Sequence, residues 1–267
     1  GTVVNAGQLV LAGDQTGASG GLLVGPNSTG GSLTVAAGGT VAVPANRQIQ
    51  VGNTNASGTT TVNLNVAGVV TNHGTLLAAR SSTVTVNSGG VWRQTGDMEV
   101  RGVGGYSGSV NVNAGGTFTY TGPNTIKLNG ADGNSGQALL SIGGSFNTPV
   151  GFEQTTMPST GFGRVALNNG GILKLTAAIP VLCTGVQFDL GTGGGAVDTA
   201  GFDTALNVDI TGNGSLTKAG AGTLSIESGN NTYTGDTFVS GGKLAITGMA
   251  TLVSTNIVIA GGATFDV

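Results

Sequence analysis

Short apolar runs alternate with small polar residues along almost the whole chain, with the period of two that sends successive side chains of a β-strand to opposite sides. Six segments repeat one pattern of strand, Gly-containing turn and second strand: SLTVAAGGTVAV (32–43), LNVAGVVTN (64–72), TVTVNSGGVWRQ (83–94), SVNVNAGGTFTY (109–120), LLSIGGSFNT (139–148) and RVALNNGGILKL (164–175). A further short strand opens upstream, near Leu22, Ile49, Leu76, Met98, Ile126 and Phe152, at successive spacings of 27, 27, 22, 28 and 26. No window shows a helical apolar stripe free of Gly and β-branched residues. The pattern predicts an all-β solenoid, a parallel β-helix with three short strands per coil and about 26 residues per coil. One such coil cannot bury its apolar side without neighbours above and below.

Aligning the segments on the turn glycine puts Val41, Val70, Trp92, Phe118, Phe146 and Leu173 in one column, with Leu224 and Leu244 continuing it. This column is expected to form a core ladder inside the rod. A second inward set comprises Leu33 and Val35, Val62 and Leu64, Val84 and Val86, Val110 and Val112, Leu140 and Ile142, and Val165 and Leu167. Asn65, Asn87, Asn113 and Asn168 form an outward column where Asn tolerates left-handed geometry and bonds its stacked equivalents. Glu99, Lys127 and Glu153 fall on another outward column, an alternating-sign ladder.

Composition narrows the class. The 267 residues include 52 Gly and only 8% charged side chains, yet 38% are hydrophobic and the net charge is −3, which excludes a disordered chain. The glycines keep no three-residue period, which excludes collagen. Nine Lys and Arg, scattered along the chain, form no basic face for nucleic acid. The lone Cys183 excludes an internal disulfide framework. No apolar run is long enough to insert this segment in a membrane, and no leader opens it. Both ends stop inside repeat-like text, so residues 1–267 read as a single solenoid segment of a longer chain.

The rhythm weakens between Gly143 and Arg164, where FNTPVGFEQTTMPSTGFG introduces two prolines and a Met. A loop near 148–163 is expected to leave the rod there, with Thr155, Thr156, Met157, Pro158 and Phe162 as candidate binding residues. The plainer reading of the same stretch is a packing loop.

From Gly193 the text changes. It carries Gly212–Asn213–Gly214, then Leu216–Thr217–Lys218 with Gly220 and Gly222, then Asn231–Thr232–Tyr233–Thr234–Gly235 and Gly241–Gly242. Residues 193–247 resemble the autotransporter-associated β-strand repeat of bacterial passenger domains, and TVVNAGQLVLAG (2–13) is similar to the tail of another copy. Residues 14–190 keep the rhythm as degenerate coils without the Thr-Tyr-Thr-Gly motif. The resemblance implies a right-handed parallel β-helix, exported and then displayed on the cell surface or secreted. It says nothing of a ligand, because the matching residues are turn and core positions.

Candidate chemistry is sparse. Polysaccharide hydrolases and lyases need two or three acids converging on one face. The closest grouping, Asp198, Asp203 and Asp209, is spaced for turns. Arg93, Asp97, Glu99 and Arg101 read as a salt-bridged surface patch, His73 as a turn residue and Cys183 as a small core residue. Asp132–Gly133–Asn134 offers one carboxylate where calcium requires six to eight oxygens. No catalytic residue, cofactor site or metal site is assigned. The function read from the sequence is a structural or adhesive rod without catalysis. Its expected partners are glycans, host or neighbouring-cell surfaces, or copies of itself. The alternatives are a carbohydrate-active β-helix enzyme or glycan-binding module, and a self-assembling extracellular fibre.

Overall fold

The computed structural model describes residues 2–4, 8–15, 20–26, 30–54, 60–129, 136–155 and 161–267. They form a β-solenoid of about nine turns with about 25 residues per turn, and no helix occurs among them. Every strand pairs in parallel with the equivalent strand one coil away. The first face runs through eight strands from Thr2–Val4 to Cys183–Thr184, and the second through nine from Gln8–Leu11 to Ile210–Gly212. The third runs through eleven from Asp14–Gln15 to Ile257–Ile259. The first-face strands at Leu22, Ile49, Leu76, Met98, Ile126 and Phe152 are vertical neighbours, as their spacing predicts.

Alternation explains the core. Val62–Val66, Ser82–Val86, Gly108–Val112, Ala138–Ile142 and Gly163–Leu167 each bury every second residue and leave the others part-exposed. The turn into the third face tightens through a left-handed glycine at the same place in successive coils, as at Gly89 (φ 76°) and Gly115 (φ 77°), a conformation that side chains with a Cβ disfavour. The six residues Val41, Val70, Trp92, Phe118, Phe146 and Leu173 stand in one column on the third face. Trp92 and Phe118 stack with centroids 5.7 Å apart, Phe118 and Phe146 with centroids 4.9 Å apart.

Three register assignments need correction. Leu173 is followed in its column by Val197, Lys218 and Val239; Leu224 and Leu244 belong to a fourth sheet, above Thr204 and below Phe265. That sheet begins where the first face ends, and its coils repeat every 20 or 21 residues; the glycines two places before Leu224 and Leu244 lead into strands of this sheet and not of the third face, so alignment on a turn glycine crosses from one sheet to another. In the second coil Val62 and Leu64 point inward as expected, but the vertical neighbours of Leu33 and Val35 are Leu64 and Val66. The turn at 67–68 is two residues shorter than the one at 36–39, and the preceding strand slides by two. For the same reason Asn65 lies beside Thr34 and Thr85, outside the Asn column. Asn113 does donate to Asn87 at 3.1 Å, but Asn169, with φ of 51°, is the asparagine in left-handed geometry.

Polar side chains also point into the shaft. Gln94 is fully buried; its Oε1 accepts from Asn72 Nδ2 (2.9 Å) and Trp92 Nε1 (3.1 Å), while its Nε2 donates to the Gly74, Gly96 and Asp97 carbonyls. Tyr120, one coil on, donates its hydroxyl to the Asn124 carbonyl, and Thr148 donates to Val150. These side chains satisfy turn carbonyls that face away from water. Lys218 does the same in the shorter coils, its Nζ donating to the carbonyls of Ala219 (2.8 Å), Gly220 (2.8 Å) and Gly241 (3.0 Å).

Candidate contact corner

A solenoid of fixed cross-section can vary its sequence length only at its corners, and here one corner takes most of the variation. Connections from the second to the third face are tight: 36–39, 67–68, 87–90, 113–116, 143–144, 168–170 and 191–194. Those from the first to the second face are 25–30, 52–61, 79–81, 102–107, 130–137, 154–162 and 185–186. Strands Ser145–Thr148 and Phe152–Glu153 continue the rod within the stretch expected to leave it.

Neighbouring excursions are tied together. The buried Arg80 lays its guanidinium 4.1 Å from the Tyr106 ring centroid and donates to the Val103 carbonyl of the next coil. Val103 and Tyr106 pair as a small antiparallel bridge. One coil further, Gly102 donates to the Asn129 carbonyl, and Gln137 donates to Ser107 Oγ. Asn129 spans three coils: its Nδ2 donates to Glu99 Oε1 (2.9 Å) and its Oδ1 accepts from the backbone and hydroxyl of Thr155. The described residues of this corner are thus joined from coil to coil by hydrogen bonds.

Of the five candidate loop residues, Thr155 is exposed and held by Asn129, and Phe162 lies half-buried with the Arg164 guanidinium 4.9 Å from its ring centroid. Thr156, Met157 and Pro158 lie outside the described residues, as does Asp132. Glu99, Lys127 and Glu153 stand in one column, but the ion pair of Glu99 is with Arg101 on its own strand, at 2.8 Å.

The three aspartates grouped in the sequence each hydrogen-bond within the scaffold. Asp198 accepts from the backbone of Ala200 and faces Lys174 at 3.5 Å; Asp209 accepts from the Ser228 hydroxyl. Asp203 accepts from the Thr223 backbone, and that bond holds its carboxyl below the usual range. His73 is exposed, with Nδ1 2.9 Å from Thr95 Oγ1. Cys183 is buried, which pushes its thiol far up. Among the described residues no three His, Cys, Asp or Glu side chains gather to hold a metal.

A parallel β-solenoid whose later coils shorten to 20 or 21 glycine-punctuated residues defines a repeat-built segment. Residues 216–246 match the passenger-associated-transport-repeat family. The chain is 30% identical to the adhesin BmaC autotransporter of Brucella suis biovar 1 (strain 1330) over 254 residues, 90% of the chain and 7% of that protein. It is 52% identical over 65 residues to an extracellular serine protease of Serratia marcescens, 24% of the chain and 6% of the protease. A second Serratia marcescens extracellular serine protease is 53% identical over 58 residues, 22% of the chain and 5% of that protein. The chain thus spans only a small part of each relative's length. It is a passenger repeat segment of the autotransporter type, belonging to a surface-displayed or secreted protein.

Proposed function

We propose that the segment is a non-catalytic structural and adhesive rod that holds one ridge of loops toward glycans or opposing cell surfaces. The observation that carries this reading is the gathering of three long connections, 52–61, 130–137 and 154–162, at one corner, where Arg80, Ser107 and Asn129 join successive coils. Such a row repeats weak contacts at fixed intervals, which suits multivalent attachment. The likeness to a protein named as an adhesin supports it. The likeness to serine proteases covers about a quarter of the chain or less, and the single histidine lies beside a threonine hydroxyl. The test is binding of the purified segment to a glycan array and to cultured cells, beside a variant with 55–59 and 156–160 replaced by short Gly-Ser linkers, which keeps the partners of Arg80 and Asn129 in place. Binding lost in that variant with thermal stability retained supports the reading. Equal binding by both proteins, or hydrolysis of a polysaccharide by the unaltered segment, refutes it.

A further inference from the structure

A different corner, between the third and first faces, carries a groove that the rod does not need. The connections there are 121–125, 149–151 and 176–182, and the last is drawn out by Ile179–Pro180–Val181. It stands beside Pro149 and Val150 and leaves an open groove of about 290 Å³ between them. Ile179 is buried at its base, while Val181 on the lip is 37% exposed. Prolines in both walls fix the backbone on either side. The one charge lining the groove is Glu153, half-buried on the strand Phe152–Glu153. No hydrogen bond or ion pair reaches its carboxylate from any described residue, although Lys127 stands opposite it on the adjoining strand.

A groove lined by Val150, Ile179, Pro180 and Val181, with the Glu153 carboxylate among its lining residues and without a described partner, complements a ligand with an alkyl body and a cationic tip. We propose that this groove receives a lysine side chain presented by a partner protein. The butyl stem lies between Val150 and Val181, where its methylenes leave water, and the ammonium meets Glu153 in a charge-assisted hydrogen bond. The open mouth leaves room for the peptide carrying the lysine, and the single carboxylate matches one ammonium.

The inference is independent of the contact corner and is tested separately. The isotope-labelled segment is titrated with Nα-acetyl-lysine N-methylamide while backbone amide shifts are followed by NMR. Saturable shifts centred on Gly151, Glu153 and Val181 are expected, weakened at least about tenfold by Glu153→Gln. The norleucine analogue, which keeps the stem and lacks the charge, should bind at least about tenfold more weakly as well. Glu153→Gln alters a half-buried side chain without a described partner, so its melting temperature should match the unaltered protein and show that the loss is local. Absence of saturable shifts, equal binding of norleucine, or unchanged binding in Glu153→Gln would each overturn the assignment.

Discussion

Replacing Gln94 by Met keeps the length of the side chain and raises its hydrophobicity at a fully buried position. If the shaft were held by apolar burial alone, the substitution would be neutral or stabilising. The hydrogen bonds argue otherwise. Oε1 of Gln94 is acceptor for the Asn72 amide and the Trp92 indole N–H, and Nε2 serves three turn carbonyls. Met leaves two buried donors without that acceptor, and an unsatisfied buried group costs about 1–3 kcal/mol. The pair alone therefore comes to about 2–6 kcal/mol, against which the gain from burying a thioether instead of an amide is smaller. Equilibrium urea unfolding followed by circular dichroism measures the difference, and hydrogen exchange locates it. The expected result is a lower midpoint with faster exchange at Gly74 and across 95–97. A midpoint equal to or above that of the unaltered protein would refute the idea that inward polar side chains hold the corners.

Phe118→Ala should cost about 3–5 kcal/mol in the same assay, since a ring stacked between Trp92 and Phe146 leaves a cavity its neighbours cannot close. Gly74→Ala should cost about 1–3 kcal/mol, because a Cβ there would run into the Arg47 carbonyl of the preceding coil and force the coils apart; an unchanged unfolding midpoint would count against that close approach. Desolvation lowers Lys218 to about 8 from 10.5, so the unfolded state binds more protons between those values and its contribution to stability rises with pH there. Burial raises Tyr120 to about 12 from 10, so its contribution is full below pH 10 and is lost as pH climbs through 12. Urea midpoints measured from pH 7 to 12 should show the first trend vanish in Lys218→Met and the second diminish in Tyr120→Phe.

The solenoid was legible because its information is local and repeated. Alternating Val, Leu and Thr fix which side is inward, a turn glycine fixes the phase, and an aromatic or branched aliphatic residue two places later fixes the column. Register failed where turn length changed, at Leu64–Val66, and where the period shortened, at Leu224 and Leu244, since alternation within one strand says nothing of how far it slides against the next. The inward Asn72, Gln94, Thr148 and Lys218 were hidden for another reason. Polar residues on a strand read as outward, and only the course of the following turn reveals carbonyls that need a donor. The ridge was visible in part: 148–163 stood out by its prolines, but the excursions at 52–61, 102–107 and 130–137 share the Gly, Ser and Asn content of every other turn. The groove at Glu153 arises from residues 149–153 and 178–184, joined only by stacking.

Register between coils is the claim on which the ladder, the ridge and the groove all depend, and paired cysteines read it directly. Thr85 and Asn111 are outward neighbours on adjacent strands, within disulfide reach, whereas Thr83 and Asn111 are offset by two residues, about 8 Å apart and beyond it. Under mild oxidation the Thr85→Cys/Asn111→Cys protein should close its disulfide to completion, and the Thr83→Cys/Asn111→Cys protein should keep free thiols. Closure of the offset pair in preference to the aligned one would contradict the stacking described for this chain.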